Sequence, residues 1–320
     1  MASNRLPSVS VVVPVYNAEQ TVEPLVDRIH SVLAAAERRF EILLVDDGSR
    51  DGSWSIIRRL AAAKSTVRGV LLMRNYGQHN ALLVGIREAR FDVIVTLDDD
   101  LQNPPEEIPK LLDRLEAGAD VVYGTPEIRY DTPWRRFTSR IIRWVLKGAL
   151  GVAARDVTSF RAFRAELRDA FADYRSSFVS IDVLLTWGTS RFAAVKVEHR
   201  AREFGRSTYS FPRLLLTAVD VMTAFSTRPL RFASLVGFAF TLFGVLVLVW
   251  VVGRYLWLGY SFPGFPFLAS VVAIFSGAQL FGLGIIGEYL ARVHLRSMGR
   301  PSALVREVVE PANESSKETA

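Results

Sequence analysis

No charged side chain occurs between Phe232 and Gly253, and after Arg254 a second uncharged run extends from Tyr255 to Gly287. Each run exceeds the roughly 20 apolar residues that a helix needs to cross a hydrocarbon core. The first, FASLVGFAFTLFGVLVLVWVVG, is too long and too aliphatic for an ordinary amphipathic helix. The second is interrupted at Pro263, Gly264 and Pro266, which leaves about Phe267 to Gly287 as its span. Two transmembrane helices joined by a short Gly/Pro/aromatic hairpin are therefore expected across 229–291. Arg228 and Arg231 precede the first span and Arg292, His294, Arg296 and Arg300 follow the second, whereas the hairpin offers Arg254 alone. Because basic residues favour the cytoplasmic side, both termini are expected there. The opening MASNRLPSVSVVVPVYN lacks a signal-peptide pattern, since its apolar run is short and ends at a proline.

At 320 residues, 50% of them hydrophobic and with a net charge of +6, the chain has room for one sizeable domain ahead of the spans. The absence of cysteine excludes disulfides and thiolate metal sites. Ser8 to Val15 and Phe40 to Val45 have the length and β-branched content of strands. Between them, Thr21 to Glu37 carries apolar residues at helical spacing: Val22, Leu25, Val26, Ile29, Val32 and Leu33. The alternation continues with a helix over 52–64, a strand over 67–73, a helix over 80–89, a strand over 93–97, a helix over 105–117 and a strand at Val121 and Val122. Such alternation predicts an α/β fold with a mainly parallel sheet and helices on both faces.

In sheets of this kind ligands bind beyond the carboxyl ends of the strands. The polar clusters fall there: Tyr16-Asn17, Asp46-Asp47-Gly48-Ser49, Arg74-Asn75-Tyr76-Gly77, and the triplet Asp98-Asp99-Asp100. Two readings fit the triplet. It is an exposed acidic turn before a helix whose Pro104, Pro105 and Glu106 suit a first turn, or it is a site that takes up a cation, because three crowded anions at the mouth of a core repel one another and lose solvation. No Gly-x-Gly-x-x-Gly joins the first strand to its helix and no Walker signature occurs, so a nucleotide site here must use carboxylates and a metal.

Beyond Tyr123 the pattern changes. Trp134 to Leu150 places Arg136, Arg140, Arg143 and Lys147 on one helical face and Phe137, Ile141, Trp144 and Val145 toward another, which suits the headgroup layer of a membrane or a solvated face on a core helix. Residues 211–228 are expected to form a second interfacial segment ahead of the spans. The tail, 292–320, reads as polar and loose past Pro301 and disordered over Glu314 to Thr319. His79 is expected to pack or cap near Asn75, Phe178, Trp187 and Phe192 to serve core or membrane interface, and Glu288 to pair with Arg292, four residues on.

Taken together, Val11-Val-Val-Pro-Val-Tyr-Asn17, Leu44-Val-Asp-Asp-Gly-Ser49, Arg74-Asn-Tyr-Gly-Gln-His79, Leu97 to Pro109 and Glu203-Phe-Gly-Arg-Ser-Thr-Tyr209 resemble glycosyltransferase family 2, and within it the polyprenyl-phosphate glycosyltransferases. The resemblance covers nearly the whole chain. It implies a GT-A nucleotide-diphospho-sugar transferase domain over 1–210, and Mg2+ or Mn2+ as cofactor. Carried over residue by residue, it puts Pro14 and Tyr16 beside the base, with Asp46 accepting from the base's ring N–H and Asn75 also on the donor. Asp98 faces the ribose or metal, and Asp100 and Gln102 hold the metal on the diphosphate. Asp99, the middle residue, is expected not to be a ligand. Arg129, Arg135 and Ser139 take the acceptor phosphate, Arg202 the donor diphosphate, and Asp156 orients the acceptor or acts as base.

The implied reaction is metal-dependent inverting transfer of one sugar from a nucleotide-sugar, a UDP-sugar in the aminoarabinose-type branch, to undecaprenyl or another polyprenyl phosphate. The implied setting is a bacterial inner membrane, with the catalytic domain cytoplasmic. The implied partners are the donor, the acceptor and membrane lipid, with room for a homotetramer and no nucleic acid. The chain departs from the family pattern at Ala18, where Glu is common and Glu19 could substitute, and at Thr208, where Lys is common and Arg206 could compensate. A processive polysaccharide synthase is the alternative, but its Gln-x-x-Arg-Trp motif reads Arg140-Ile-Ile-Arg-Trp144 here. An inactive membrane adaptor is a third reading, opposed by the retained triplet.

Overall fold

The computed structural model describes residues 6–126, 157–176, 179–200, 228–258, 264–299 and 301–311. The chain divides into two compact units, one of residues 1–210 with 299–320 and one of residues 211–298.

The first unit is built on β1 (Val9–Val15), β2 (Phe40–Asp46), β3 (Val67–Leu72), β4 (Val93–Thr96), β5 (Val121–Pro126), β6 (Arg161–Arg164), β7 (Phe192–Val197) and β8 (Val305–Val309). Together they form one eight-stranded sheet in the order β7-β5-β6-β4-β1-β2-β3-β8. Pairings β1 with β2, β1 with β4, β2 with β3 and β5 with β7 are parallel. β6 runs antiparallel to both β4 and β5, and β8 antiparallel to β3. The α-helices described in this unit are α1 (Val22–Ala35), α2 (Ser53–Ala63), α3 (Gln78–Glu88), α4 (Ile108–Glu116) and α5 (Ile181–Gly188).

Every residue of β1 is buried, as expected of a central strand covered on both faces. Val9, Val11, Val13 and Val15 join α1's Leu25, Val26, Ile29 and Leu33 in one core layer, while Val12 faces the other with α3's Leu82, Leu83 and Ile86. Each such aliphatic side chain contributes about 1.5–3 kcal/mol on burial, so β1 and α1 fix the register from which the site loops emerge.

The predicted elements through β4 are present with boundaries within about two residues, and α3 begins at Gln78, two residues ahead of expectation. β6 and β7 do not stand out in the sequence, because β6 is four residues long with arginine at both ends and β7 carries Lys196 among small residues.

Part of the tail expected to be loose is a strand, Val305–Val309. Residues 305–309 pair with β3, with an irregularity between Leu71 and Leu72. β3 would otherwise leave a row of unpaired backbone groups at the sheet edge. In addition, the side chain of Arg68 is buried and draws Glu310 onto Nε and Nη2 at 3.2 and 3.1 Å, alongside Glu41 at 3.2 Å. Residues past 311, and the expected helix at 134–150, lie outside the described residues.

In the second unit α6 (Arg228–Leu258) and α7 (Gly264–Ser297) are both long and apolar enough to cross a membrane, through the stretches Leu230–Arg254 and Ile274–Ser297. α7 starts at Gly264 rather than after Pro266, since a proline is tolerated in a first turn. Its apolar stretch of membrane length, Ile274–Ser297, lies further along than the expected 267–287. Phe240 of α6 meets Phe275 of α7 edge-on at 5.8 Å, and Glu288 pairs with Arg292 at 2.7 Å as expected.

Candidate active site

The loops that leave the carboxyl ends of β1, β2, β3 and β4 are tied to one another by short polar contacts. Asn17, after β1, adopts a left-handed backbone (φ 52°), donates its N–H to Ser49 Oγ (3.0 Å) and accepts from Arg50 N (2.8 Å). Asp46, the last residue of β2, is fully buried and accepts from Ser49 N at 2.7 Å, closing a tight turn over Gly48. Gly48 has φ +71°, and a Cβ there would lie 2.6 Å from the Arg74 carbonyl carbon. Only glycine lets the two loops approach so closely.

Asp47 receives both Tyr76 N (2.7 Å) and Gly77 N (2.8 Å), which fixes the turn into α3. The first side chain of α3, Gln78, donates to Asp98 Oδ1 at 2.6 Å, and Ser159 Oγ donates to Asp98 Oδ2 at 2.5 Å. Asp99 reaches back to Tyr16 N at 3.1 Å. Leu101 is left-handed (φ 60°), a costly conformation for a branched side chain; it turns Gln102 N onto Asp100 Oδ1 at 3.2 Å, and the Gln102 carbonyl accepts from Arg200 N at 2.8 Å.

These loops enclose a cleft of about 430 Å³ lined by Pro14, Val15, Tyr16, Asp47, Asn75, Gly77, Gln78, Asp98, Asp99, Asp100 and Gln102. Of the expected site residues, Pro14, Tyr16, Asn75, Asp98, Asp100 and Gln102 thus come together. Asp46 does not line the cleft; Asp47 does. The sequence hides the difference because both carboxylates sit in one motif, and which of them faces the cleft depends on where β2 ends. Gln78 and Ser159 also escape sequence reading, and their signal is three-dimensional. Asp156, Arg129, Arg135, Ser139 and Arg202 lie outside the described residues. Glu19 accepts from Gly52 N at 2.9 Å rather than entering the cleft.

Burial, with the charges of Asp98 and Asp100 on either side, pushes the Asp99 carboxyl up to about 7 against the pull of Tyr16 N. Burial likewise raises Asp46 and Asp47. His79 is lowered by burial, which the charge of Asp182 opposes and that of Arg161 reinforces; Ile181 N is directed at its Nδ1 at 3.5 Å. Phe192 stacks on Tyr123 with ring centres 6.3 Å apart, a core role, and Trp187 meets Tyr174 edge-on. The cleft therefore concentrates negative charge and offers oxygen donors, the chemistry of a hard divalent cation. Among the described residues no three acidic or histidine side chains converge as a ready-made metal cage, so such a cation would draw further oxygens from its ligand.

Residues 10–174 match Glycosyl transferase family 2, and the chain belongs to that family: it is a glycosyltransferase with a GT-A fold. Among the proteins it is similar to are two named undecaprenyl-phosphate 4-deoxy-4-formamido-L-arabinose transferase. The one from Pseudomonas syringae pv. syringae (strain B728a) is 39% identical over 95% of this chain and 92% of its own length, and the one from Pseudomonas aeruginosa (strain LESB58) is 40% identical over 94% and 90%. Among solved structures, glucosyl-3-phosphoglycerate synthase from Mycobacterium tuberculosis with Mn2+, UDP and glucosyl-3-phosphoglycerate overlays with a TM-score of 0.51 at 21% identity, covering 68% of this chain and 78% of that one, a likeness of fold.

Proposed function

We propose that this enzyme moves a single sugar from a nucleoside diphosphate sugar to a polyprenyl phosphate at the inner face of a bacterial inner membrane. The observation that carries this reading is the convergence of four strand-end loops on one anionic cleft, in a chain that also has two membrane-length helices. The relatives' names support undecaprenyl phosphate as acceptor and a 4-formamido pentose as the first sugar to offer, with UDP as the first nucleotide to test. The basic residues flanking α6 and α7 support a cytoplasmic catalytic domain and cytoplasmic termini. Association of four copies through these helices is part of the same reading.

In this mechanism Tyr16, Pro14 and Asp47 border the base, and the Asn75 to Gln78 loop faces the rest of the donor. Asp98, Asp100 and Gln102 would hold Mg2+ or Mn2+, whose chemistry is to neutralise charge on the departing diphosphate. A phosphate oxygen of the acceptor attacks the anomeric carbon, the bond from that carbon to the diphosphate oxygen breaks, and the configuration inverts. The acceptor phosphate is already ionised near neutrality, so Asp156 is assigned to orienting it rather than to removing a proton. Arg129, Arg135 and Ser139 are assigned to the acceptor phosphate and Arg202 to the donor diphosphate.

Lipid-linked sugar formation in membranes tests the reading. Asp100→Ala is expected to lower turnover by about 100-fold or more, as loss of a charge-stabilising group does, with Asp156→Ala less damaging. Full activity in Asp100→Ala rejects it.

A further inference from the structure

The largest fully buried side chain among the described residues is that of Arg161, on β6. A buried guanidinium is costly unless paired, and even a paired one is a weak stabiliser next to an apolar replacement. Its place opposite Thr96, two residues before Asp98, points to another reason. Arg161 donates through Nη1 to Asp182 of α5, which also accepts from the Tyr123 hydroxyl at 3.1 Å. Its Nε donates to Thr96 Oγ1 at 3.0 Å, directly across the β4–β6 ladder.

A threonine hydroxyl has one proton, and here it goes to the Ser159 carbonyl at 2.7 Å. Donation from Arg161 onto the same oxygen fixes that direction. The hydroxyl of Ser159 then donates to Asp98 Oδ2 at 2.5 Å, while Gln78 holds Oδ1. The buried ion pair is thus linked to the first carboxylate of the triplet through Ser159, whose backbone carbonyl is held by Thr96 and whose hydroxyl holds Asp98. Repulsion from Asp99 and Asp100 would otherwise turn that carboxylate away, so holding both of its oxygens sets the direction in which it faces the cleft.

We propose that Ser159 is a positioning residue for Asp98, itself held in register by the Arg161–Thr96 relay, and that this relay preorganises the cation side of the donor site. The proposal rests on the assignment of Asp98 to that site. Partners of metal-binding side chains commonly change metal affinity by about ten- to a hundredfold when removed.

The test is calorimetric titration of UDP into the full-length protein in detergent, with Mn2+ and with EDTA, alongside thermal unfolding. Wild type is expected to bind UDP more tightly with Mn2+. Ser159→Ala and Thr96→Val are each expected to weaken the Mn2+-dependent binding by about tenfold or more while leaving the affinity in EDTA unchanged, and Ser159→Thr, which keeps the hydroxyl, to recover most of the loss. Wild-type affinity in either Ser159→Ala or Thr96→Val overturns the relay and leaves the donor-site reading standing. Equal weakening with and without Mn2+ reveals a merely structural role and also overturns it. A wild-type protein whose UDP affinity ignores Mn2+ removes the donor-site reading and the relay together.

Discussion

Single residues decide how the cleft handles charge. Asp99 titrates near 7 in the folded protein against an ordinary value of 3.8. With the folded value the higher one, the unfolded chain ionises first as pH rises, so the folded state loses stability between about pH 4 and 7 and has lost this contribution fully above that window. Asp99→Asn, which keeps an acceptor for Tyr16 N, is therefore expected to stabilise the metal-free protein at pH 8 by about 1–3 kcal/mol and to have almost no effect at pH 4. Melting curves at the two values check this, and a gain that is the same at both would contradict it. Gly48 makes a second case. With φ +71° and 2.6 Å between a built Cβ and the Arg74 carbonyl carbon, Gly48→Ala must move the Arg74–Asn75 loop, at a cost of about 1–3 kcal/mol. The expected readout is a raised donor KM together with a lower Tm, and an unchanged KM would show that the loop does not touch the donor. At this scale the sequence reveals which residue types gather but not which way they face. Asp46 and Asp47 are adjacent and chemically identical, yet one closes a turn inside the core and the other lines the cleft, because β2 ends between them.

Elements were legible where burial enforces a period. β1 to β4 and α1 to α4 carry the strand runs and helical stripes of a sheet covered on both faces, and the loops at their carboxyl ends follow from that topology. β8 was not legible, since a five-residue strand paired to a partner more than 230 residues earlier leaves no local mark. Its cause lies in β3, where an open edge and the buried Arg68 both require a partner. The side chain of Arg68 is 3% exposed while that of Glu310 is 50% exposed. Glu310→Gln is accordingly expected to cost about 1 kcal/mol, the upper range for a half-exposed pair, or about 2–4 °C in Tm. Thermal unfolding of the full-length protein in detergent measures it, and an unchanged Tm would mean that backbone pairing alone holds the strand. β6 escaped for a different reason. Its arginines read as surface residues, whereas Arg161 is buried by its pairing with Thr96 of β4 and Asp182 of α5, contacts that only the packing of that helix on the sheet creates.

At the scale of the whole molecule, a charge-concentrating cleft and two membrane-length helices occur in one chain, and the proposed reaction joins a water-soluble donor to a lipid acceptor. A soluble sugar transferase would need the first feature alone, and a polymer-extruding synthase would need a channel, for which two helices per chain are few. The most direct measurement incubates membranes containing the full-length enzyme with undecaprenyl phosphate and a panel of UDP-sugars, including the 4-formamido pentose, in the presence of Mg2+ or Mn2+. The extracted lipid is weighed by mass spectrometry while released UDP is counted. The predicted result is undecaprenyl phosphate heavier by one sugar residue, with one UDP released per lipid formed and both lost in Asp100→Ala. Polymer in place of a lipid-linked monosaccharide, or neither UDP release nor product across the panel, would contradict the account.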